Sequence, residues 1–457
     1  MRKSLFTILY FCLSITCFSQ WTTHNLGVAR SLAASTSNGS KIFIGGGAAY
    51  NRTQEQTVVD IYDVDSDTWS SAALSQGRFA LAAASTSNKV IFAGGVSNMT
   101  QFATSNRIDI YDTVTDTWST GSLSESRGAV IGTSDGNKAL IIGGFKSFVT
   151  GTPSSAVDIY DEGADSWTTK NLTVARGYLA AATIGSKAYI AGGITGAGGS
   201  PLTALVEIYN YDTDTWTYDS LSVARGGLAV GAVGTKVIFA GGHDINNTAM
   251  DIVDIYDTST DTWTTFSLTE ARGELTAVTL GSKIYFAGGY SNYSSNTMSD
   301  RVDIYDDVSG TWSTAALSQA RSELCSASAG NKLLISVGGS YGSTQQFNNV
   351  DIYTDTPTGI KGEGSLPQKI KLLNNYPNPF NPKTNIKFTI PVGNGNVRSL
   401  LQIFDALGNE IAILVDEQKS PGSYKYEFDG ENISSGVYYY QLQSGTYSET
   451  KKMLLLK

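Results

Sequence analysis

The chain of 457 residues is 41% hydrophobic and 16% charged, with a formal net charge of −9 at pH 7. This acidic balance argues against nucleic acid as a partner, because a net negative surface repels a phosphate backbone. Three cysteines in a chain of this length argue against a framework of disulfide bonds.

The first nineteen residues are typical of an export signal. Met1-Arg2-Lys3 precedes an apolar run that ends near Ser19, which predicts a secretory signal peptide over residues 1–19. A lipoprotein signal acylated at Cys17 is the alternative, although Ser14-Ile15-Thr16 fits the required motif poorly. No other segment reaches the roughly 18 consecutive apolar residues of a membrane helix, so we expect no transmembrane segment.

Seven tryptophans recur at intervals of 47 to 49 residues, and seven arginines keep the same step. A pair of glycines follows each arginine by sixteen or seventeen residues, as in Gly94-Gly95 and Gly338-Gly339. A fixed period near fifty residues predicts a repeat architecture. The tryptophans are Trp21, Trp69, Trp118, Trp167, Trp216, Trp263 and Trp312.

Residues 225–263 show what one repeat contains. A run of small residues follows Arg225, an apolar run from Lys236 ends at Gly241-Gly242, and two further strand-like runs lead to Trp263. Short runs separated by turn signals predict four antiparallel strands. Four-stranded units repeated radially make a β-propeller, in which no blade buries its faces without its neighbours.

The arginine, the glycine pair, the Val-Asp-Ile-Tyr-Asp run and the Thr-Trp pair together resemble the kelch repeat. The resemblance covers seven units over residues 20–355 and implies a kelch-type β-propeller. The fourth unit departs from the pattern, with Glu207-Ile208-Tyr209-Asn210 in place of Asp-Ile-Tyr-Asp.

The ends of the repeat region indicate how the ring closes. Asp351-Ile352-Tyr353 is the one run of its kind with no tryptophan strand after it. The missing strand is present at the other end of the region, in Gln20-Trp21-Thr22-Thr23. We therefore predict that this segment is the fourth strand of the seventh blade, which closes the ring and removes free sheet edges.

Composition changes after the repeats. A linker rich in proline and glycine is predicted over residues 356–367, followed by a separate module over residues 368–457. Alternating patterns predict strands over 384–390, 400–404, 410–414, 424–428, 437–442 and 450–456. The expected fold class is all-β, a seven-bladed propeller followed by a small Ig-like β-sandwich.

The C-terminal module closely resembles the type A sorting domain of the type IX secretion system of Bacteroidota. The resemblance lies in residues 376–382, Ile403-Phe404-Asp405-Ala406-Leu407-Gly408, Ser435-Gly436-Val437-Tyr438-Tyr439 and the terminal residues 451–457. It implies the secretion machinery as a partner and a secreted or cell-surface location reached through the periplasm. An Ig-like binding module without a sorting role is the alternative.

The seven arginines are the first candidate ligand contacts. In kelch propellers the matching arginine lies near the pocket mouth, and in some members it binds an acidic ligand through its guanidinium group. The alternative is that an arginine present in every blade serves the repeat and bonds neighbouring carbonyls or acids. The series is Arg30, Arg78, Arg127, Arg176, Arg225, Arg272 and Arg321.

Two glutamates break the symmetry of the repeat. The position two residues after the arginine holds uncharged residues in five blades but Glu274 and Glu323 in the last two. Two carboxylates on adjacent inner strands are candidates to contact a ligand hydroxyl or a cation, or to act as acid and base. Pairing with Arg272, Arg321 or their neighbours is the structural alternative.

The loops after the glycine pairs differ in every blade and carry aromatic residues that suit stacking on sugars or binding a peptide. Capping of the blade beneath is the alternative. The ligand candidates among them are Tyr50, Phe102, Phe148, Tyr290, Tyr293 and Tyr341, and Phe145 and Phe347 are also expected to be exposed there.

Support for catalysis is thin, because His24 and His243 lie in unrelated positions and His243-Asp244 reads as a solvated loop pair. We expect no cofactor and no metal, although calcium at the aspartate-rich turns stays open. The expected function is a non-catalytic recognition module for an extracellular glycan or protein. The alternative is a sugar-converting enzyme of the mutarotase or epimerase kind, with Glu274 and Glu323 as its candidate groups.

Overall fold

In the computed structural model, every regular element among the described residues is a β-strand. The described residues form two compact units, one up to Asp355 and one from Ile370. The predicted signal peptide, the predicted linker, Tyr50 and Tyr341 lie outside them. The structure describes residues 20–49, 54–196, 201–339, 345–355, 370–373, 375, 378–390, 397–419, 422–444 and 447–457.

The first unit contains seven four-stranded antiparallel sheets, numbered here by their first strands. Sheet 1 consists of Ala34–Asn38, Lys41–Gly45, Val58–Asp63 and Thr68–Ala73. Sheet 2 consists of Ala82–Ser85, Lys89–Ala93, Arg107–Asp112 and Thr117–Ser122. Sheet 3 consists of Ile131–Ser134, Lys138–Ile142, Ala156–Asp161 and Ser166–Asn171. Sheet 4 consists of Ala180–Ile184, Lys187–Ala191, Leu205–Asn210 and Thr215–Ser220.

The last three sheets repeat the pattern with one change of chain order. Sheet 5 consists of Ala229–Val233, Lys236–Ala240, Ile252–Asp257 and Thr262–Ser267. Sheet 6 consists of Thr276–Leu280, Lys283–Ala287, Arg301–Asp306 and Thr311–Ala316. Sheet 7 consists of Cys325–Ala329, Lys332–Gly339, Gln346–Thr354 and, from the other end of the unit, Trp21–Asn25.

Four small hairpins follow the second strands of sheets 1, 2, 3 and 6. They pair Ala48–Ala49 with Gln54–Glu55, Val96–Asn98 with Ala103–Thr104, Phe145–Ser147 with Thr152–Pro153, and Tyr290–Asn292 with Thr297–Met298. These hairpins bring the variable loops to the same end of the sheets as the residues that precede each first strand, because an isolated bridge joins the two segments in each repeat.

The hydrophobic core lies between neighbouring sheets. One cluster joins Ile91 and Ile108 of sheet 2 to Ile141 and Tyr160 of sheet 3. The tyrosine of the Asp-Ile-Tyr run packs on the repeat tryptophan, as Tyr160 does on Trp167 with ring centroids 5.3 Å apart. Large rings thus fill the space between outer strands, while first strands rich in alanine and serine contact one another.

The N-terminal strand pairs with the last strand of the repeat region as predicted. Trp21 lies opposite Tyr353 and Asn25 opposite Asn349 in an antiparallel register. The first strands of sheets 7 and 1 are in contact, and the two sheets share one hydrophobic cluster. Contacts between consecutive first strands therefore return from the seventh sheet to the first.

Sheet 7 departs from the predicted glycine pattern. The two backbone positions that Gly94 and Gly95 occupy in sheet 2, both with positive φ, hold Val337 and Gly338 in sheet 7. The predicted pair Gly338-Gly339 is therefore shifted by one residue. Val337 takes a φ of 50°, which is uncommon for a β-branched residue, and its side chain is fully buried in the cluster shared with sheet 1.

The second unit contains two antiparallel sheets around one hydrophobic cluster. The predicted strands of this unit are present and longer than expected. The three-stranded sheet consists of Lys371–Leu372, Lys383–Ile390 and Gly422–Asp429, and the four-stranded sheet consists of Glu410–Lys419, Val397–Phe404, Gly436–Ser444 and Tyr447–Leu455. Phe388 from one sheet and Tyr440 from the other belong to the same cluster.

Candidate ligand-binding site

Each of the seven arginines is fully buried and forms an ion pair inside its own sheet. Its partner is the acid of the Asp-Ile-Tyr run or, in sheet 4, Glu207 at 2.8 Å, so the departure of the fourth unit keeps the pair. The pairs are Arg30–Asp60, Arg78–Asp109, Arg127–Asp158, Arg176–Glu207, Arg225–Asp254, Arg272–Asp303 and Arg321–Asp351.

Backbone carbonyls complete the arginine site. Arg127 donates to the carbonyl oxygens of Ile141 at 3.0 Å, Gly143 at 2.9 Å and Ala156 at 2.7 Å. Burial lowers the pKa of this guanidinium group, and the charge of Asp158 opposes that shift. These contacts support the interpretation in which the arginine serves the repeat, because both of its terminal nitrogens donate to groups of the same sheet. Its buried Nε has no hydrogen-bond partner among the described residues.

The arginine backbone also links each sheet to the one before it. The residue at the second position of each glycine pair donates its backbone N–H to the carbonyl oxygen of the arginine in the next repeat, at 2.8–3.0 Å. The last of these bonds runs from Gly338 to Arg30 and joins sheet 7 to sheet 1. A side chain at Gly143 would meet the Arg176 carbonyl oxygen at 2.6 Å. Glycine is required there because the neighbouring backbone passes too closely for a Cβ atom.

The position two residues after the arginine has a backbone conformation that sequence reasoning missed. All seven residues have φ between 49° and 62°, in the left-handed region. Several backbone N–H groups at this position donate to the carbonyl oxygen at the same position of the preceding repeat. Such bonds run from Ala80 to Leu32, from Ala129 to Ala80 and from Glu274 to Gly227, at 2.8–2.9 Å. The seven residues, here named the mouth ring, are Leu32, Ala80, Ala129, Tyr178, Gly227, Glu274 and Glu323.

A cavity of about 350 Å³ is lined by all seven residues of the mouth ring. We call it the mouth cavity. Phe79, Phe102 and Phe148 contribute aromatic surface, and the residues after the mouth ring contribute Leu81, Leu179, Leu228, Leu275 and Leu324. None of the seven arginines belongs to the lining among the described residues.

The structure brings the two predicted glutamates into one cavity. Glu274 and Glu323 both line it, from two sheets whose first strands are in contact, and Glu323 is only 6% exposed. Burial raises the pKa of the Tyr293 phenol, and the charges of Glu274, Tyr290, Tyr178 and Glu323 raise it further. Tyr293 therefore keeps its proton next to the two carboxylates.

The loop aromatics divide into two groups. Phe102 and Phe148 line the mouth cavity, and Phe102 is 47% exposed. The expectation that Tyr290, Phe145 and Phe347 are exposed is wrong, since all three are buried. Tyr290 and Phe145 directly follow a glycine pair and bridge to the residue after an arginine, which turns their rings into the sheet interface.

His243 is a buried residue rather than the solvated loop residue expected from the sequence. It is 5% exposed, its ring lies 5.4 Å from that of Tyr293, and its Nδ1 lies 3.2 Å from the Asp244 carbonyl oxygen. Burial lowers its pKa, so the imidazole is neutral near pH 7. A Cβ atom at Gly227 would come within 2.9 Å of the His243 ring, so the glycine makes room for it.

In the part of the chain that the structure describes, no group of three or more His, Cys, Asp or Glu side chains is placed to hold a metal ion. The described residues also include no helix long and apolar enough to cross a membrane.

Family models match both units of the chain. The Kelch motif matches residues 175–219, 224–267 and 271–316, which fall in sheets 4 to 6. A secretion system C-terminal sorting domain matches residues 374–456. No curated protein matches the chain. The chain therefore carries kelch motifs of the β-propeller kind and a C-terminal sorting domain that directs export through the type IX secretion system.

Proposed function

We propose that this protein is a non-catalytic recognition module, displayed on the cell surface or released, which binds a glycan or protein ligand at the mouth cavity. In this proposal residues 20–355 form a closed seven-bladed propeller, residues 356–367 a linker, and residues 368–457 an Ig-like sandwich that is recognised for export. The mouth cavity carries the proposal, because it is concave, largely apolar and lined by two carboxylates, Glu274 and Glu323.

The contrast between buried and lining residues supports this location. The arginine pairs repeat in all seven sheets, whereas the mouth ring holds five different residue types and is acidic only in sheets 6 and 7. Function on a symmetric scaffold depends on particular side chains, not on the scaffold. Glu274, Glu323, Phe102 and Phe148 are therefore the proposed ligand contacts.

A sugar-converting enzyme is the second candidate, because Glu274 and Glu323 line the same cavity and two carboxylates can act as acid and base. The double variant Glu274→Gln with Glu323→Gln separates the two functions. For a binding module we expect retained or weakened binding on glycan and peptide arrays and no turnover in either form. Epimerase or mutarotase turnover by the wild type that the double variant loses would favour the enzyme.

The sorting role has its own test. Deletion of residues 368–457 is expected to retain the protein in the periplasm, because the secretion machinery then lacks its recognition domain. Cell fractionation and immunoblotting of culture medium, surface and periplasm measure the outcome. Normal appearance of the truncated protein outside the cell would contradict the sorting role.

A further inference from the structure

The chemistry of the mouth cavity is uneven around its axis. Glu274 and Glu323 come from sheets 6 and 7, whereas Phe102, Phe148 and Tyr178 come from sheets 2, 3 and 4. Because consecutive sheets are neighbours around the ring, the acidic side faces an aromatic side. A ligand seated here meets two carboxylates on one side and apolar rings on the other.

Polar side chains are scarce in this lining. Of its eighteen residues, only Tyr178, Glu274 and Glu323 carry a polar side-chain group, and the rest are alanine, glycine, leucine, isoleucine, valine and phenylalanine. A sugar ring presents several hydroxyl groups, and a buried hydroxyl without a hydrogen-bond partner is costly. The leucine-rich wall therefore disfavours a fully inserted sugar.

A basic side chain matches the same lining. Lysine and arginine have an apolar stem with a charged head, so that the stem lies along apolar surface while the head reaches a polar partner. The leucines and phenylalanines suit the stem, and the two carboxylates suit the head. Among the described residues that line the cavity, none is lysine, arginine or histidine, so the lining itself contributes no cation.

The charge of the surrounding unit favours the same ligand. Residues 20–364 contain 20 lysines and arginines against 33 aspartates and glutamates, a net charge of −13. This count includes the seven buried arginines, and because each is paired with one carboxylate, the pairs leave the net charge unchanged. A negative field of this kind raises the rate at which a cationic partner arrives.

We propose that the mouth cavity receives the basic side chain, lysine or arginine, of a protein partner, with its head between Glu274 and Glu323 and its stem against the aromatic side. This inference rests on the proposed function as a recognition module and selects a protein ligand over a glycan. Phe102 and Phe148 act as positioning residues for the stem.

The test uses the secreted protein and short peptides that differ only in a central residue, which is lysine, arginine, glutamine or norleucine. Binding is measured by calorimetry, and the same protein is applied to a glycan array. We expect the lysine or arginine peptide to bind about ten-fold or more tightly than the glutamine and norleucine peptides, because only the cation pairs with the buried carboxylates.

The variant Glu274→Gln with Glu323→Gln is expected to abolish this preference, since glutamine keeps the size of the side chain and removes its charge. The control is Asp65→Asn with Asp212→Asn, which removes two charges from exposed turns outside the cavity. It is expected to keep the preference and to lower affinity less than three-fold. Thermal unfolding of each variant checks that the fold is retained.

Four results would overturn the inference. Equal binding of all four peptides, or a preference that survives in the folded double glutamine variant, would exclude recognition of the charge by these glutamates. Glutamate-dependent binding of glycans without binding of basic peptides would refute the inference and leave the proposed function intact. Binding of neither class would refute both.

Discussion

Two positions in every repeat, separated by a single residue, have opposite roles. The arginine is the same in all seven sheets, fully buried and paired with an acid of its own sheet. Two residues later the chain has one of five residue types, and this position lines the mouth cavity in every sheet. The arginine stabilises the same geometry in every sheet. The mouth-ring residue that follows places a variable side chain in the cavity proposed to hold a ligand.

The comparison shows how a repeat can be both regular and specific. Carbonyl and carboxylate partners bind the terminal nitrogens of the buried Arg127 guanidinium group, so its replacement disturbs the scaffold itself. The mouth ring is joined by backbone hydrogen bonds, which leave its side chains free to vary. This division of roles predicts that replacing a paired buried group costs far more stability than changing a residue of the mouth ring.

Replacing Asp158 by asparagine should destabilise the repeat unit by about 3–5 kcal/mol, because Arg127 would keep a buried charge without its partner. Urea unfolding followed by tryptophan fluorescence measures this loss specifically, since all seven tryptophans lie in the repeat unit. Adding Arg127→Met to the variant should recover part of the stability, because no uncompensated charge remains.

An ion pair in the C-terminal unit gives the matched control. Arg398 binds Asp416 through two contacts of 2.9 and 3.1 Å, but both side chains are exposed. Asp416→Asn should leave the unfolding of that unit, followed by circular dichroism, nearly unchanged, because solvent screens exposed pairs. Equal losses for Asp158→Asn and Asp416→Asn would contradict the role given to burial.

The variant Gly227→Ala tests whether the mouth ring tolerates a side chain in sheet 5. The added Cβ atom would lie 2.9 Å from the His243 ring on a backbone with φ of 62°. We expect a loss of about 1–2 kcal/mol in the free energy of unfolding. An unchanged unfolding curve would show that His243 can move away and that Gly227 does not set the shape of the cavity.

The reverse change at the equivalent position of sheet 3 should have the opposite sign. Ala129 has a φ of 49°, so glycine relieves strain there, although its greater freedom in the unfolded chain offsets part of the gain. We expect Ala129→Gly to raise the free energy of unfolding by about 0.5 kcal/mol. A loss of stability in the same urea assay would mean that packing of the alanine methyl group stabilises the fold by more than the left-handed backbone conformation destabilises it.

Alkaline pH should weaken a second repeated contact. Tyr111 donates to Asp116 at 2.5 Å, and burial with this hydrogen bond raises the pKa of its phenol to about 12. The unfolded phenol titrates near pH 10. The stabilisation is therefore complete below pH 10 and is lost as pH rises towards 12, because the unfolded state releases its proton first.

The variant Tyr111→Phe isolates this contribution. The difference in unfolding midpoint between wild type and variant should shrink between pH 10 and 12, because phenylalanine does not titrate. A constant difference across that range would show that Tyr111 ionises alike in both states.

Much of the scaffold could be predicted from the sequence because its causes are local and repeated. No tryptophan strand follows Tyr353 in the sequence. This predicted that the strand of Trp21 pairs with the strand of Tyr353, since an unpaired strand would leave a free sheet edge. Glu274 and Glu323 were found because the position two residues after the arginine is charged only in the last two repeats. Both features could be recognised because they depart from a pattern that otherwise recurs at a fixed interval.

Other features depended on the tertiary structure. The burial of Tyr290 and His243 follows from a bridge to a residue seventeen positions earlier, which loop composition does not reveal. The shift of the glycine pair at Val337 was equally hidden, because Gly338-Gly339 kept the expected letters. A stricter count from Arg321 to the pair would have found it.

Taken by itself, the amino-acid sequence determined the period, the strand order within a repeat, the pairing of the two ends of the repeat region and the presence of an export domain. These properties follow from residue spacing and short motifs. Only the tertiary structure decided which polar groups face a ligand and which are sealed in the sheets. The reason is that Arg272 and Glu274 are two residues apart in the chain, yet the left-handed turn at Glu274 directs one side chain into the sheet and the other into the cavity.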